Sequence, residues 1–326
     1  MQRTDRADSP RVSVVIPAFN AARDIGGAVE SVFRQTFSDF EVIVVNDGSP
    51  DTGHLERAMA QRRLYIRYFC HETNRGAAAA RNTGIRAARG SLIAFLDADD
   101  LWAPDFLRRQ VWFLDANPGC ALVYCDAHIS GETPLAGKRF MDTAPSVGEV
   151  TLESLITQRC NIPLSTVVAR RDPLLAVGLF DEAIRRGQDY DLWMRLAAAG
   201  ATMRYQRLVL TERRVRANGL SGDPAAEFDR AIRILEHFGR TQPPEIRTII
   251  RARMHGLMDQ LEIERAKQRL RDANFEAARY HLSATKRRSL KCRLALLGLQ
   301  IAPRLVRRAF LAAQPVRLGA QMAEAR

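Results

Sequence analysis

The chain has 326 residues, 46% apolar and 26% charged, which is long enough for a large domain with an appendage and ordinary for a globular protein. Its polar start, MQRTDRADSPR, cannot form a signal-peptide core; no run nears the ~18 apolar residues of a membrane span; and five cysteines without Cys-x-x-Cys spacing argue against a zinc site or disulfide framework. A cytoplasmic protein with reduced thiols is expected. The formal charge of +12 is uneven: residues 241–326 hold 18 Lys and Arg against 7 Asp and Glu, leaving 31 against 30 in residues 1–240.

In chain order, VSVVIPAFN reads as a buried strand of β-branched residues closed by Pro17 and Asn20. DIGGAVESVFRQT follows as a helix with Ile25, Val29, Val32 and Phe33 on one face. FEVIVVND is a second strand ending in the turn cluster Asn46-Asp47-Gly48-Ser49. LYIRYF is a weaker third strand. NRGAAAARNTGIRAARG is a helix entered at Gly76 and stopped by Gly90, and SLIAFL is the fourth strand.

Strands alternating with helices predict a parallel sheet covered on both faces, with ligands beyond the carboxyl ends of the strands. Asn20, Asp47 and the cluster Asp97, Asp99 and Asp100 gather on that rim. Neither Gly-x-Gly-x-x-Gly nor a Walker A sequence occurs, which disfavours a dinucleotide or P-loop site. The three carboxylates in AFLDADDLWAPD admit two readings. They lead into a turn before a helix near Pro104, or a hard cation such as Mg²⁺ or Mn²⁺ supplies the charge that lets them coexist.

The combined run VSVVIPAFNA…FEVIVVNDGSPD…NRGAAAARNTG…SLIAFLDADDLWAPDFL closely resembles the family 2 inverting glycosyltransferases, collinearly over roughly residues 11–220. The resemblance implies an α/β GT-A fold, a Rossmann-like and mostly parallel central sheet that binds a nucleotide sugar. It implies a UDP-, dTDP- or GDP-linked donor, a divalent metal (Mn²⁺ or Mg²⁺), and a carbohydrate or lipid-linked acceptor. By the same resemblance Pro17, Phe19 and Asn20 surround the nucleotide, and Asp47 accepts from an imide N–H of the base. Arg81 lies near the diphosphate or ribose, and Asp97 and Asp99 form the Asp-x-Asp pair, with Asp99 nearest the metal. Two positions depart from the pattern. Ala22 stands where the family often has glutamate, with Asp24 nearby, and Asn46 stands where many relatives carry an aspartate.

Further on, CALVYCD is another strand, and NIPLSTVVARRD resembles the segment that lines the acceptor side. VGLFDEAIRRGQDYDLWMRLAAAG resembles the one carrying the acidic catalytic motif, here Gln188-Asp189 in place of Glu-Asp. That makes Asp189 the expected general base, with His128 a weaker rival. The bland alternative has Asp189 or Asp191 capping a helix whose Leu192, Trp193 and Leu196 are core. Arg216 stands where many relatives have a histidine; it either neutralises the departing diphosphate or is surface charge.

Residues 224–326 read as helices. The last, KRRSLKCRLALLGLQIAPRLVRRAFLAA, combines Leu294, Leu297, Leu299, Ile301, Leu305, Val306 and Phe310 with many Lys and Arg, and Pro303 should break or kink it. A basic amphipathic helix fits an anionic membrane surface; a helical lid or oligomer contact is the alternative, and no nucleic-acid motif is visible. The expected division is a catalytic domain over 1–222 and a basic helical region over 223–326. The expected setting is the cytoplasm, peripheral on the inner face of the plasma membrane, in cell-surface polysaccharide or glycolipid synthesis. A nucleotidyltransferase is the runner-up, without its glycine-rich, lysine-containing signature; a non-catalytic nucleotide-sugar-binding scaffold is the other.

Overall fold

The computed structural model describes residues 9–215, 224–286 and 289–312. Among them, 9–215 with 237–249 form one compact unit, and 224–236 with the described part of 250–326 form a second.

The first unit runs β1 (Val12–Ala18), α1 (Ile25–Phe33), β2 (Phe40–Asn46), α2 (Thr52–Ala58), β3 (Ile66–Cys70), α3 (Ala77–Ala87) and β4 (Leu92–Phe95). It continues with β5 (Leu101–Trp102), α4 (Phe106–Ala116), β6 (Cys120–Gly131), α5 (Phe140–Thr143) and α6 (Leu152–Ile156). β7 (Val167–Arg170), α7 (Arg171–Ala176), α8 (Gln188–Ala198) and β8 (Thr202–Val215) follow, and residues 237–249 complete the unit. These strands form one eight-stranded sheet in the order β3-β2-β1-β4-β7-β6-β8-β5. The apolar runs of β1, β2 and β4 are buried on both faces, as strands sandwiched between helices must be. The α/β architecture that the alternation of strands and helices predicts is therefore present.

Its second half differs from a uniformly parallel sheet. β3, β2, β1 and β4 are mutually parallel, but β7 enters antiparallel between β4 and β6, and β5 is antiparallel to β8. Only β6 and β8 restore a parallel pair, so the sheet is mixed. The third strand also starts later than its sequence pattern predicts. Its ladder with β2 opens at Val42↔Ile66, and Leu64 and Tyr65 sit exposed in a short 3₁₀ turn before it.

Strand order reverses between β1 and β4, because the chain adds β2 and β3 on one side of β1 and β4 on the other. The carboxyl ends of β1, β2 and β4 thus open onto one crevice. α3 lies very close against β1: a Cβ built on Gly84 would stand 2.4 Å from a Val15 methyl, so only glycine fits. α8 is fixed over β4 by aromatic contact, with the Trp193 and Phe95 ring centroids 6.5 Å apart and Phe180 5.6 Å from Phe95. Leu192, Trp193 and Leu196 are indeed core. Cys120, Cys125 and Cys160 serve as small buried residues, and Cys70 is exposed.

The second unit is helical and has its own core. Parts of α9 (Pro224–Gly239) and α10 (Pro244–Arg271) belong to it, with α11 (Phe275–Ala284), α12 (Leu290–Ile301) and α13 (Pro303–Ala312). Ala266, Leu270, Ala278, Leu282, Cys292 and Leu299 are its buried centre. Side chains at N-cap positions start two of the helices: Asn274 accepts from the Ala277 N–H, and Ser289 from that of Cys292. The break at Pro303 occurs as the sequence predicts, separating α12 from α13.

Candidate active site

The end of β1 is fastened to the end of β2. The Asp47 N–H donates to the Ala18 carbonyl (2.8 Å), and the Asn20 N–H to Ser49 Oγ (3.2 Å). Asn20 adopts a left-handed backbone (φ 52°), which asparagine tolerates better than most residues. Pro17 is half-buried below it, while Phe19 and Asn20 are exposed on the rim, available to a ligand.

Asn46 accounts for its own departure from the family pattern. Its amide donates to Thr52 Oγ1 (2.8 Å) and to the Tyr68 hydroxyl (2.9 Å), which a carboxylate could not do. Next to it Asp47 is buried and busy. Oδ1 accepts from His71 Nδ1 (2.7 Å) and the Arg75 N–H (2.9 Å), and Oδ2 from the Gly76 N–H (2.7 Å). A carboxylate offers about four acceptor positions, so one remains for a ligand. His71 in turn meets Thr83 Oγ1 on α3 at 3.0 Å. Asp47 and His71 therefore clamp the loop into Gly76, whose φ of 99° opens α3.

α3 carries Arg81 into the crevice. It is 5% exposed, its Nη2 donates to Asp97 Oδ1 (2.6 Å), and its guanidinium lies 5.6 Å from the Phe180 ring centroid. Its Nε and Nη1 are buried without a hydrogen-bond partner. Buried donors left unpaired are costly, so a cation held this way is poised for an anion.

The three aspartates follow β4. The Asp97 N–H donates to Ser165 Oγ (3.1 Å), and Asp100 Oδ1 accepts from the Arg214 N–H (3.0 Å) on β8. β5 brings β8 here by pairing Leu101 with Glu212. Burial raises the Asp99 pKa, the nearby Asp97 charge adds to this, and Arg213 and Arg214 partly oppose it. Burial likewise pushes Asp100 up to about 8, with Asp97 and Asp99 contributing. The cluster thus carries a deficit of positive charge. The donor set suits Mg²⁺ or Mn²⁺, which take oxygen ligands and are commonly held by one or two carboxylates plus substrate phosphates. No group of three or more metal-ligating side chains is preassembled among the described residues.

From the second half of the unit, α8 presents its first turn to the same place. Its N-cap is Gly187, left-handed at φ 77°, so neither Asp189 nor Asp191 is the cap; both lie in the first turn. Their fates diverge. The Asp191 carboxylate is taken by Arg195 Nε (2.8 Å), whose Nη1 also reaches the Val177 carbonyl (2.6 Å), and that pair is structural. Asp189 instead sits within the electrostatic reach of Arg81 and Asp97. Burial raises its pKa, Arg81 pulls it back down, and Asp97 pushes it up.

The structure therefore brings Arg81, Asp97 and Asp189 within one electrostatic neighbourhood, with Asp99 coupled to Asp97. His128 is exposed on β6, next to its bridge with Arg139, and not in the first turn of α8. Arg216 lies outside the described residues. Sequence reasoning missed His71, Ser165, Arg213 and Arg214, whose partners are distant in the chain. It also missed Asp51, whose Oδ2 accepts from the Ala22 N–H (3.3 Å) and so supplies a carboxylate beside that alanine. A separate cleft between Ser146–Val150 and Met203–Arg207 lies toward the opposite end of β8 from Arg213 and Arg214.

The family profile "Glycosyl transferase family 2" matches residues 13–173. The chain is 31% identical over 189 residues to the Escherichia coli UDP-Glc:alpha-D-GlcNAc-diphosphoundecaprenol beta-1,3-glucosyltransferase WfgD, covering 58% of this chain and 70% of that one. It is 29% identical over 233 residues to the E. coli enzyme of the same description WfaP, covering 70% and 86%. An uncharacterized glycosyltransferase of Rickettsia felis is also 29% identical, over 57% of this chain, but the match spans only 31% of that longer protein. Among solved structures, a mannosyltransferase of Pyrobaculum calidifontis in complex with GDP-Man and Mn²⁺ superposes with a TM-score of 0.62 at 21% identity, over 94% of this chain and 86% of that one. S. aureus TarS 1-349 in complex with UDP gives 0.57 at 19%, over 94% and 93%. These likenesses establish the fold, and with the sequence matches they place the chain in glycosyltransferase family 2.

Proposed function

We propose that the chain is an inverting, metal-dependent glycosyltransferase that moves a sugar from a UDP-, dTDP- or GDP-linked donor to an acceptor hydroxyl. The observation that carries this reading is the convergence of Asp97, Arg81 and Asp189 from three separate elements, two of them with raised or unmet electrostatic demand. Phe19, Asn20 and Pro17 would border the nucleotide, and the remaining acceptor position of Asp47 would read an imide N–H of the base. The unpaired donors of Arg81 would hold the diphosphate.

Asp99 and Asp97 would hold Mn²⁺ or Mg²⁺, which when bound offsets negative charge developing on the leaving diphosphate. Asp189 would take the proton from the acceptor hydroxyl as it attacks the face opposite the departing nucleotide. A hydroxyl is a poor nucleophile at neutral pH, so this proton transfer is worth about 10²–10⁴ in rate. A carboxylate whose pKa is raised is the stronger base, which suits the task.

The E. coli relatives, whose names specify a diphosphoundecaprenol-linked acceptor, support a lipid-linked or carbohydrate acceptor in cell-surface polysaccharide or glycolipid synthesis. The catalytic domain would span 1–222 and the basic region 223–326 would serve the membrane surface, peripheral on the cytoplasmic face. A nucleotidyltransferase or a non-catalytic scaffold would not need a base such as Asp189.

Thermal-shift screening of nucleotide sugars with and without Mn²⁺, followed by donor hydrolysis, tests the reading. One nucleotide sugar should stabilise the protein more with metal than without it, by mass action, and be hydrolysed slowly without acceptor. Stabilisation by nucleoside triphosphates alone, or binding without any turnover, would favour the other two readings.

A further inference from the structure

α12 carries apolar side chains on two opposite faces. Cys292 and Leu299, with Ala295 and Leu296, pack into the core of the helical unit. On the other side Leu290, Leu294, Leu297 and Ile301 recur at helical spacing and stand 72%, 60%, 53% and 75% exposed. Leu305, at the start of α13, is also exposed (66%). Of the seven apolar residues noted in this segment, Leu299, Val306 and Phe310 face inward, and Leu294, Leu297, Ile301 and Leu305 face out. Twelve residues of helix make this outward row about 18 Å long. Single exposed leucines are ordinary, but a continuous row marks a face that something covers.

The charge around the row narrows the choice of partner. Residues 286–312 contain eight Lys and Arg and no Asp or Glu. Among the described ones, Lys291, Arg293, Arg304 and Arg308 are exposed beside the row. We propose that this face docks on an anionic lipid surface, with α12 lying in the plane of the interface. Its leucines enter the acyl boundary and its basic side chains meet the headgroup phosphates. A second copy of the chain is a poor occupant, because a two-fold pairing would set basic residues against basic residues with no acid between them. No described helix is long and apolar enough to cross a membrane, and α12, at about 18 Å, is shorter than a hydrocarbon core of about 30 Å, which suits a helix lying along the interface. This deepens the peripheral location proposed above and rests on that reading.

The test uses the full chain in cosedimentation with vesicles of phosphatidylcholine alone or mixed equally with phosphatidylglycerol. Binding should require the anionic lipid and fall about tenfold or more in high salt. The double variant Leu294→Asn/Leu297→Asn should lose binding by about tenfold or more, since both side chains are already solvated in the free protein. Lys291→Gln/Arg293→Gln should lose about tenfold. Both variants should keep wild-type donor hydrolysis and thermal stability. Equal binding to neutral vesicles, or full binding by the leucine variant, overturns the proposal. So does a lipid-free dimer, seen by sedimentation velocity, that the leucine variant dissolves. Vesicle binding intact in a protein with no donor turnover would count against glycosyl transfer and leave this proposal standing.

Discussion

The end of β4 and the face of α12 both crowd like charges into a few residues, yet they handle them in opposite ways. Asp97, Asp99 and Asp100 are drawn into the crevice, where burial and mutual repulsion lift the pKa values of Asp99 and Asp100. Lys291, Arg293, Arg304 and Arg308 stay in water, where repulsion is screened and costs little. Buried charge of one sign demands a specific counter-charge at a specific place, whereas solvated charge asks only for a surface of opposite sign. The first pattern fits a site and the second fits a docking face. Substitutions in the two regions should therefore differ in kind.

The largest effect belongs to the crevice. Asp189→Asn should lower turnover by about 10²–10⁴ while leaving donor affinity near wild type, measured by single-turnover kinetics and calorimetry. The direction of its pKa shift makes two further statements. As a base Asp189 must be ionised, so activity should fall as pH drops through its folded pKa. That acidic limb should lie above the ordinary carboxylate range and vanish in the variant. A carboxylate whose folded pKa is raised binds its proton more tightly in the native state, so its contribution erodes stability as pH rises from the unfolded value through the folded one. Asp189→Asn should thus unfold at an equal or higher temperature than wild type at neutral pH. An inactive variant that is also clearly less stable would point to a structural residue.

Two other positions, one on α8 and one on α3, sharpen the comparison. Asp191 is committed to Arg195, so Asp191→Asn leaves a largely buried guanidinium uncompensated and should cost about 3 kcal/mol in denaturant unfolding. Turnover per folded molecule should change little. Gly84→Ala should cost about 1–3 kcal/mol, because the new methyl collides with Val15 and must push α3 off β1. Smallest of all, Leu294→Asn on the exposed face of α12 should stay within about 0.5 kcal/mol of wild-type stability.

Much of the rim was readable in the chain itself. Buried parallel strands are continuous apolar runs, so β1, β2 and β4 declare themselves, and polar residues of the crevice rim stand at or just beyond their ends. What stayed hidden is non-local. VVAR in β7 looks like any short strand, and nothing in four residues shows that it runs antiparallel between β4 and β6. His71 reaches Asp47 across 24 residues, and Arg214 reaches Asp100 across 114. Hydrophobic periodicity reports which face of an element is buried, not which distant element covers it. For the same reason the apolar residues of α12 read as one amphipathic face, when the helix has an inward and an outward one.

The account rests on the aspartates after β4 being reconciled by a cation shared with the donor's diphosphate. Calorimetric titration of the matching nucleotide sugar into wild type and Asp99→Asn, each with and without Mn²⁺, addresses this directly. Wild type should bind the donor more tightly with Mn²⁺. Asp99→Asn should lose that gain while matching wild type in metal-free affinity and in unfolding cooperativity. An Asp99→Asn protein whose donor affinity still rises with Mn²⁺ as in wild type would contradict it.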